Sequence, residues 1–296
     1  MILVVGATGR LGSAICRSLV ERGGTVYGLV RASSSPASVA ALEELGVTPV
    51  VADIDDPESL GEACSGCDAV VSSMTAMGRA GSGDSIERVD RDGQLAVIAA
   101  AADEGVERFV YVSYSGAIGK DDPLTLAKRA VERTLKHSGM SWTVLRPSCF
   151  MESWLGPDLG FDFAAGRARV FGDGNQPISW ISLDDVAAFA AEAVDSEEAR
   201  NAVVELGGPE ALSPLEAVRI FEAVSGRPFE VEVVPEAALR EALARAGDSR
   251  EKSFAALMLA YAKGNPIPME DTAGRFGVDL TSVRDYARRV VGAGLP

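Results

Sequence analysis

The stretch Met1–Gly12, MILVVGATGRLG, constrains the fold more than any other part of the chain. A short apolar run, Ile2 to Val5, meets glycines at positions 6, 9 and 12, and a helix-like segment from Leu11 to Glu21 follows at once. This is the pattern of a buried strand, a tight turn and a helix whose N-terminus receives a pyrophosphate. Gly6 permits the turn, Gly9 lets backbone and phosphate approach, and Gly12 lets helix and strand pack closely. Thr8, Arg10 and Leu11 fill the same turn and are expected beside the phosphates. Glycines also punctuate ordinary loops. The apolar strand before them and the amphipathic helix after them are what turn this motif into a dinucleotide-binding expectation.

The next strand, Thr25 to Val30, ends in Arg31-Ala32-Ser33-Ser34-Ser35. Selectivity for NAD usually rests on a carboxylate here, which binds the ribose 2′-hydroxyl. A guanidinium with hydroxyls beside it suits a 2′-phosphate instead, since a carboxylate would repel that group. Arg31 and Ser33, helped by Arg10, therefore point to NADP(H). The alternative is that Arg31 is a solvated strand-end residue.

Strand and helix alternate through the first half. Strands are expected near 2–5, 25–31, 48–52, 68–73, 107–113 and 141–146, and helices near 10–22, 36–45, 57–64, 84–104 and 122–138. Continuous apolar runs such as Ala69-Val70-Val71 and Phe109-Val110-Tyr111-Val112 read as strands buried on both faces. The expectation is an α/β fold, a Rossmann-type doubly wound parallel sheet with its ligand crevice at the carboxyl ends of the strands. That rule places Asp53 near the adenine and Ser72, Ser73 and Met74 beside the cofactor. Gly78 to Asp84 reads as a Gly/Ser-rich loop. Beyond Pro147 the alternation loosens, and a smaller C-terminal α/β substrate lobe is expected. Its elements are a segment near 202–206, a helix opening at Ser213-Pro214 with a capping box to Glu216, a strand near 229–234 and helices near 236–246, 250–262 and 280–291. The division is residues 1–150 for NAD(P) and 151–296 for substrate, with some of the later segments returning to the first sheet.

A hydrophobic content of 47% over 296 residues supports a sizeable core. The net charge of −15 argues against nucleic acid or an anionic membrane as partner. No apolar run approaches a membrane span and no secretory signal pattern is visible, so a cytoplasmic protein is expected. Of the cysteines Cys16, Cys64, Cys67 and Cys149, the middle two form a C-x-x-C between a helix and a strand, without a second pair to complete a zinc site or a surrounding thioredoxin-like fold, and read as chance loop residues. The only histidine, His137, lies near a helix end. No metal is expected.

Several pieces resemble the NmrA-like, isoflavone reductase-like branch of the atypical short-chain dehydrogenase/reductases. They are Gly6 to Gly12, Val106-Glu107-Arg108-Phe109-Val110-Tyr111-Val112-Ser113, Lys128 with Glu132, and Ser138 to Pro147 continuing through Phe150-Met151-Glu152. Pro147 closes the last of these and joins the cofactor-binding set. The resemblance implies an NAD(P)H-dependent oxidoreductase, with NADPH favoured, that reduces a small carbonyl, quinone or enone. Most short-chain reductases carry a Tyr four residues before the Lys, but here Leu124 holds that place. The resemblance carries the catalytic role onto Lys128, which serves the cofactor as well; the bland alternative is a helix-surface lysine paired with Glu132. Ser113 and Tyr114 are further catalytic candidates, although strand alternation sends their side chains to opposite faces. Phe150, Met151 and Trp154 either wall a substrate pocket or pack in the core. The missing Tyr keeps two other functions open, a redox sensor without turnover that docks on a protein, and a redox-neutral isomerase. A monomer or homodimer is expected.

Overall fold

Seven strands form the central sheet because each short apolar run is followed by a helix long enough to cross back over it. The computed structural model describes residues 1–77, 83–118 and 121–292; residues 78–82 of the expected loop Gly78 to Asp84 lie outside these. In chain order the first elements are β1 (Ile2–Val5), α1 (Arg10–Glu21), β2 (Val26–Val30), α2 (Pro36–Glu44), β3 (Thr48–Val51), α3 (Pro57–Cys64) and β4 (Ala69–Ser72). A π-helical segment, Ile86–Gly93, then leads into α4 (Gln94–Asp103), β5 (Arg108–Val112), α5 (Pro123–Leu135) and β6 (Ser141–Pro147). The sheet order is β3-β2-β1-β4-β5-β6, with the strand Ala202–Leu206 beyond β6. Pairings among β1 to β6 are parallel, and Ile2 lies opposite both Val26 and Ala69. The order reverses at β1 and β4, which is the switch point where such sheets open a crevice. All residues of β4 and β5 are buried, as strands covered by helices on both faces must be.

The helix starts were written in local chemistry. Ser35 and Asp56 cap α2 and α3 through backbone N–H groups, each followed by a proline whose missing N–H costs nothing there. Ser213 and Glu216 form the expected capping box at the helix Pro214–Ser225.

The chain divides into two units. The first comprises Met1–Ser113, Pro123–Arg146 and Val186–Val204; the second comprises Tyr114–Asp122, Pro147–Asp185 and Glu205–Pro296. The break therefore falls at Arg146, not at residue 150, and the short segment Tyr114–Asp122 belongs to the second unit. The first unit is built on a core of aliphatic residues from β1, β4, β5, α3 and α4, with Tyr111 and Phe109 fully buried. The second has an aromatic core, where Phe161 meets Phe221 edge-on at 4.8 Å and Trp154 stacks on Tyr261 at 4.5 Å. Its three-stranded sheet joins Phe161–Asp162, Arg167–Phe171 and Glu230–Val234.

Candidate cofactor and active site

At the end of β1, Gly6 adopts φ +86°, and a Cβ there would come within 3.0 Å of the Met74 backbone nitrogen. The Gly9 N–H donates to the Gly6 carbonyl at 2.9 Å and closes the turn. A Cβ on Gly12 would overlap that same carbonyl oxygen, so helix and turn touch backbone to backbone. Gly9 differs from both. Its φ of −81° suits any residue, and a Cβ would meet only the Gly6 carbonyl oxygen at 3.2 Å. Of the three, Gly6 and Gly12 are demanded by the fold, whereas Gly9 leaves room that the protein itself does not fill. No side chain caps α1 and its first turn carries no acidic residue, so its first N–H groups have no side-chain acceptor of their own. Thr8 and Leu11 are half-buried in this turn and Arg10 is exposed.

Ser73 and Met74 close the other side. The Ser73 N–H donates to the Val5 carbonyl at 3.0 Å, which sets this backbone against the end of β1. The Ser72 hydroxyl turns inward and donates to Gln94 at 2.8 Å, and Gln94 in turn donates to the Met74 carbonyl at 2.9 Å. Ser72 braces the segment after β4 rather than presenting its hydroxyl to a ligand.

Arg31 leaves the end of β2 with its side chain 37% exposed, and its Nη1 donates to Asp84 at 3.0 Å. Arg88 donates to the other Asp84 oxygen at 2.6 Å and to Asp55. Asp84 thus orients Arg31 through one of its guanidinium nitrogens. The Ser34 hydroxyl accepts from the Arg31 N–H at 3.0 Å, while Ser33 is exposed. Asp53 follows β3, is exposed, and accepts from the Asp55 N–H.

Lys128 is not a surface residue paired with Glu132. It is 5% exposed, and its Nζ lies 3.4 Å from Asp90 Oδ1 and 3.4 Å from the Val112 carbonyl at the end of β5. The ring of Tyr111 lies beneath it at 5.2 Å. Burial pulls its pKa down from the ordinary lysine value, and the Asp90 carboxylate opposes this. Both contacts are long, and they hold the Lys128 ammonium between the Asp90 carboxylate and the end of β5. Leu124, one turn earlier, is buried.

Ser113 donates its hydroxyl to Glu132 at 2.6 Å and accepts from Arg129 at 3.0 Å. Arg146 also donates to Glu132, at 2.5 Å, and Arg129 pairs with it. Burial would raise the Glu132 carboxyl, but hydrogen bonds from Arg146 and Ser113 and the two arginine charges hold it below its ordinary value. The Ser113 proton is thereby committed to a carboxylate.

The NmrA-like family model matches residues 1–287. The chain belongs to the NmrA-like family. It is 32% identical over 240 residues to the photosystem II assembly factor Ycf39 of Synechocystis, covering 81% of this chain and 72% of that protein. It is 31% identical over 230 residues to the NAD(P)H azoreductase of Xenophilus azovorans, covering 77% and 75%. Among solved structures, the NADPH-dependent quinone oxidoreductase of Escherichia coli in complex with NADPH superposes with a TM-score of 0.79 at 24% identity, covering 98% of this chain and 99% of that one. The Citrobacter triphenylmethane reductase in complex with NADP(H) gives 0.79 at 22% identity, covering 98% and 99%.

In the second unit of this NmrA-like chain, Tyr114 is half-buried against the aromatic core. Met151 is fully buried in that core, Phe150 is half-buried and bridges to Ile181, and Trp154 packs between Tyr261 and Phe171. Pro147 accepts the Ser115 N–H at 2.9 Å, and the Ser115 hydroxyl turns to Asn265. All four cysteines are buried and free, with the thiols of Cys16, Cys64 and Cys149 pushed up to about 12 by burial. His137 Nδ1 hydrogen-bonds with the Arg133 carbonyl at 2.7 Å, just past α5. Among the described residues no cluster has the makings of a metal site and no helix is long and apolar enough to cross a membrane.

Sequence reasoning missed Asp90, Gln94, Asp84 and Arg88. A signal was present for two of them. Ile86, Val89, Asp90, Gly93, Gln94 and Val97 share one buried stripe, and a charge on an apolar stripe asks for a partner.

Proposed function

We propose that this protein is an NADPH-dependent reductase of a small carbonyl, quinone or conjugated enone. The observation that carries the reading is the buried Lys128 at the end of β5, paired with Asp90, in the same unit as a glycine turn that leaves room at Gly9. The azoreductase and quinone oxidoreductase relatives support it. The turn residues Gly6, Thr8, Gly9, Arg10, Leu11 and Gly12 would hold the pyrophosphate, Arg31 and Ser33 the 2′-phosphate, Asp53 the adenine side and the Ser73-Met74 backbone the nicotinamide side. The bound nucleotide supplies a hydride. Lys128 binds ribose hydroxyls and holds the proton that the reduced oxygen requires, the part Leu124 cannot play. Ser113 orients Glu132 and the arginines, Tyr114 is the next proton donor in line, and Phe150 and Trp154 are the side chains for an apolar substrate, with Met151 and Pro147 supporting them.

The test is NADPH consumption across a panel of quinones, enones and azo compounds. Lys128→Ala should lower turnover by ~100-fold or more, the range of a positioned acid-base group. Unaltered hydride transfer in that variant would move the chemistry to Tyr114. A second reading, a nucleotide-binding protein that docks on another protein without turnover, is favoured by the assembly-factor relative together with Leu124. Tight NADPH binding with no substrate reduced would select it.

A further inference from the structure

Asp90 is fully buried in the π-helical segment Ile86–Gly93, a helix type that often marks functional positions. A lone carboxylate does not survive there without partners. Its Oδ2 accepts the Ala76 N–H at 2.9 Å, in the segment that follows β4. Its Oδ1 accepts no hydrogen bond among the described residues and faces Lys128 Nζ at 3.4 Å. One side chain thus touches two parts of the candidate site that arrive from different strands.

We propose that Asp90 is the positioning residue for Lys128, holding the ammonium at the end of β5 with one oxygen and pinning the segment after β4 with the other. The inference takes from the proposed function only that Lys128 works at this site. Four groups bear on the ammonium: Asp90 from the π-helical segment, Glu132 and Arg129 from α5, and the Tyr111 ring from β5. Glu132 is engaged by Arg129 and Arg146, so Asp90 is the carboxylate that answers the lysine charge. The same contact opposes the desolvation that pulls the lysine pKa down.

Asp90→Asn isolates the effect, because the amide oxygen can still accept from Ala76 while the charge is lost. The chain has five lysines, few enough for side-chain 15N NMR titration, with Lys128→Met assigning the signal. In Asp90→Asn the Lys128 signal should titrate at least about one pH unit lower, a tenfold weaker hold on the proton, and Asp90→Glu should restore most of it. An unchanged midpoint overturns the proposal. Should Asp90→Asn fail to fold, the Asp90→Asn/Lys128→Met pair decides: with both charges gone it should fold better than either single variant, and a double variant no better than the worse single one overturns the coupling. These measurements need neither NADPH nor substrate. A protein that reduces nothing in the panel but shows the shifted titration loses the reductase reading and keeps this one; an active protein with an unshifted midpoint does the reverse.

Discussion

In the proposed site, cofactor choice turns on Arg31. Its guanidinium is steered by Asp84, and the side chain is 37% exposed. NADPH should bind at least about tenfold more tightly than NADH, a difference of ~1.4 kcal/mol, and Arg31→Ala should bring the two dissociation constants together. Equilibrium titration of both nucleotides against both proteins measures this, and equal affinities in the unaltered protein would show that the 2′-phosphate is not read. In the proposed site the carboxylates of Asp84, Asp55 and Asp53 around Arg88 would repel a 2′-phosphate and reduce that preference. The place of Arg31 at the end of β2 was readable from the sequence, because the strand before it carries a clear β pattern. Asp84 was not, because only folding brings the start of the π-helical segment to the end of β2.

At the scale of elements, the unit formed by β1, the glycine turn and α1 makes a sharp contrast testable. Gly9→Val should leave a folded protein that no longer binds NADPH, since φ is ordinary there and the space opens away from the chain. Gly12→Val should instead destabilise the fold itself, because its Cβ would strike the Gly6 carbonyl. Thermal melts and nucleotide titration separate the two, and a folded Gly9→Val protein with unchanged affinity would make the whole turn structural. The elements of the first half were legible because amphipathic helices and doubly buried strands have distinct periods. The helix Leu183–Asp195 escaped notice for the opposite reason. Val186, Ala187, Phe189, Ala190, Ala191 and Ala193 are all buried, and the outward stripe of Asp184, Ala188, Glu192 and Asp195 is narrow and interrupted by an alanine, so the period is faint in the sequence. The two-residue strands Phe161–Asp162, Ile178–Ser179 and Ala211–Leu212 are too short to carry any period at all. The meeting of Lys128 with Asp90 is a tertiary event, hinted at only by a charge on an apolar stripe.

For the whole molecule, buried carboxylates set the response to acid. The Glu132 carboxyl is held low, so the network of Ser113, Arg129 and Arg146 contributes fully above the ordinary glutamate pKa of about 4.3 and is lost as pH falls through the lower folded value. Glu152 and Asp185 act in the other sense. Burial raises both, so their protonation on acidification favours the folded state. Urea unfolding between about pH 6 and about pH 3 should show Glu132→Gln destabilised by ~1–3 kcal/mol at the upper end, with the gap to the unaltered protein closing at the lower end. A gap that stays constant with pH would mean that Glu132 acts through packing alone.

The chain passes from one unit to the other after residues 113, 122, 146, 185 and 204, so neither unit is a continuous stretch. A fragment ending at Arg146 would lack Ala202–Leu206 and leave the backbone groups of β6 open along one edge, an invitation to aggregate. Neither half can be cut out, swapped into a chimera or inherited as a cassette. New specificity in a chain threaded this way has to be reached by substitutions within loops and helix faces, because shuffling at a linker offers no clean place to cut.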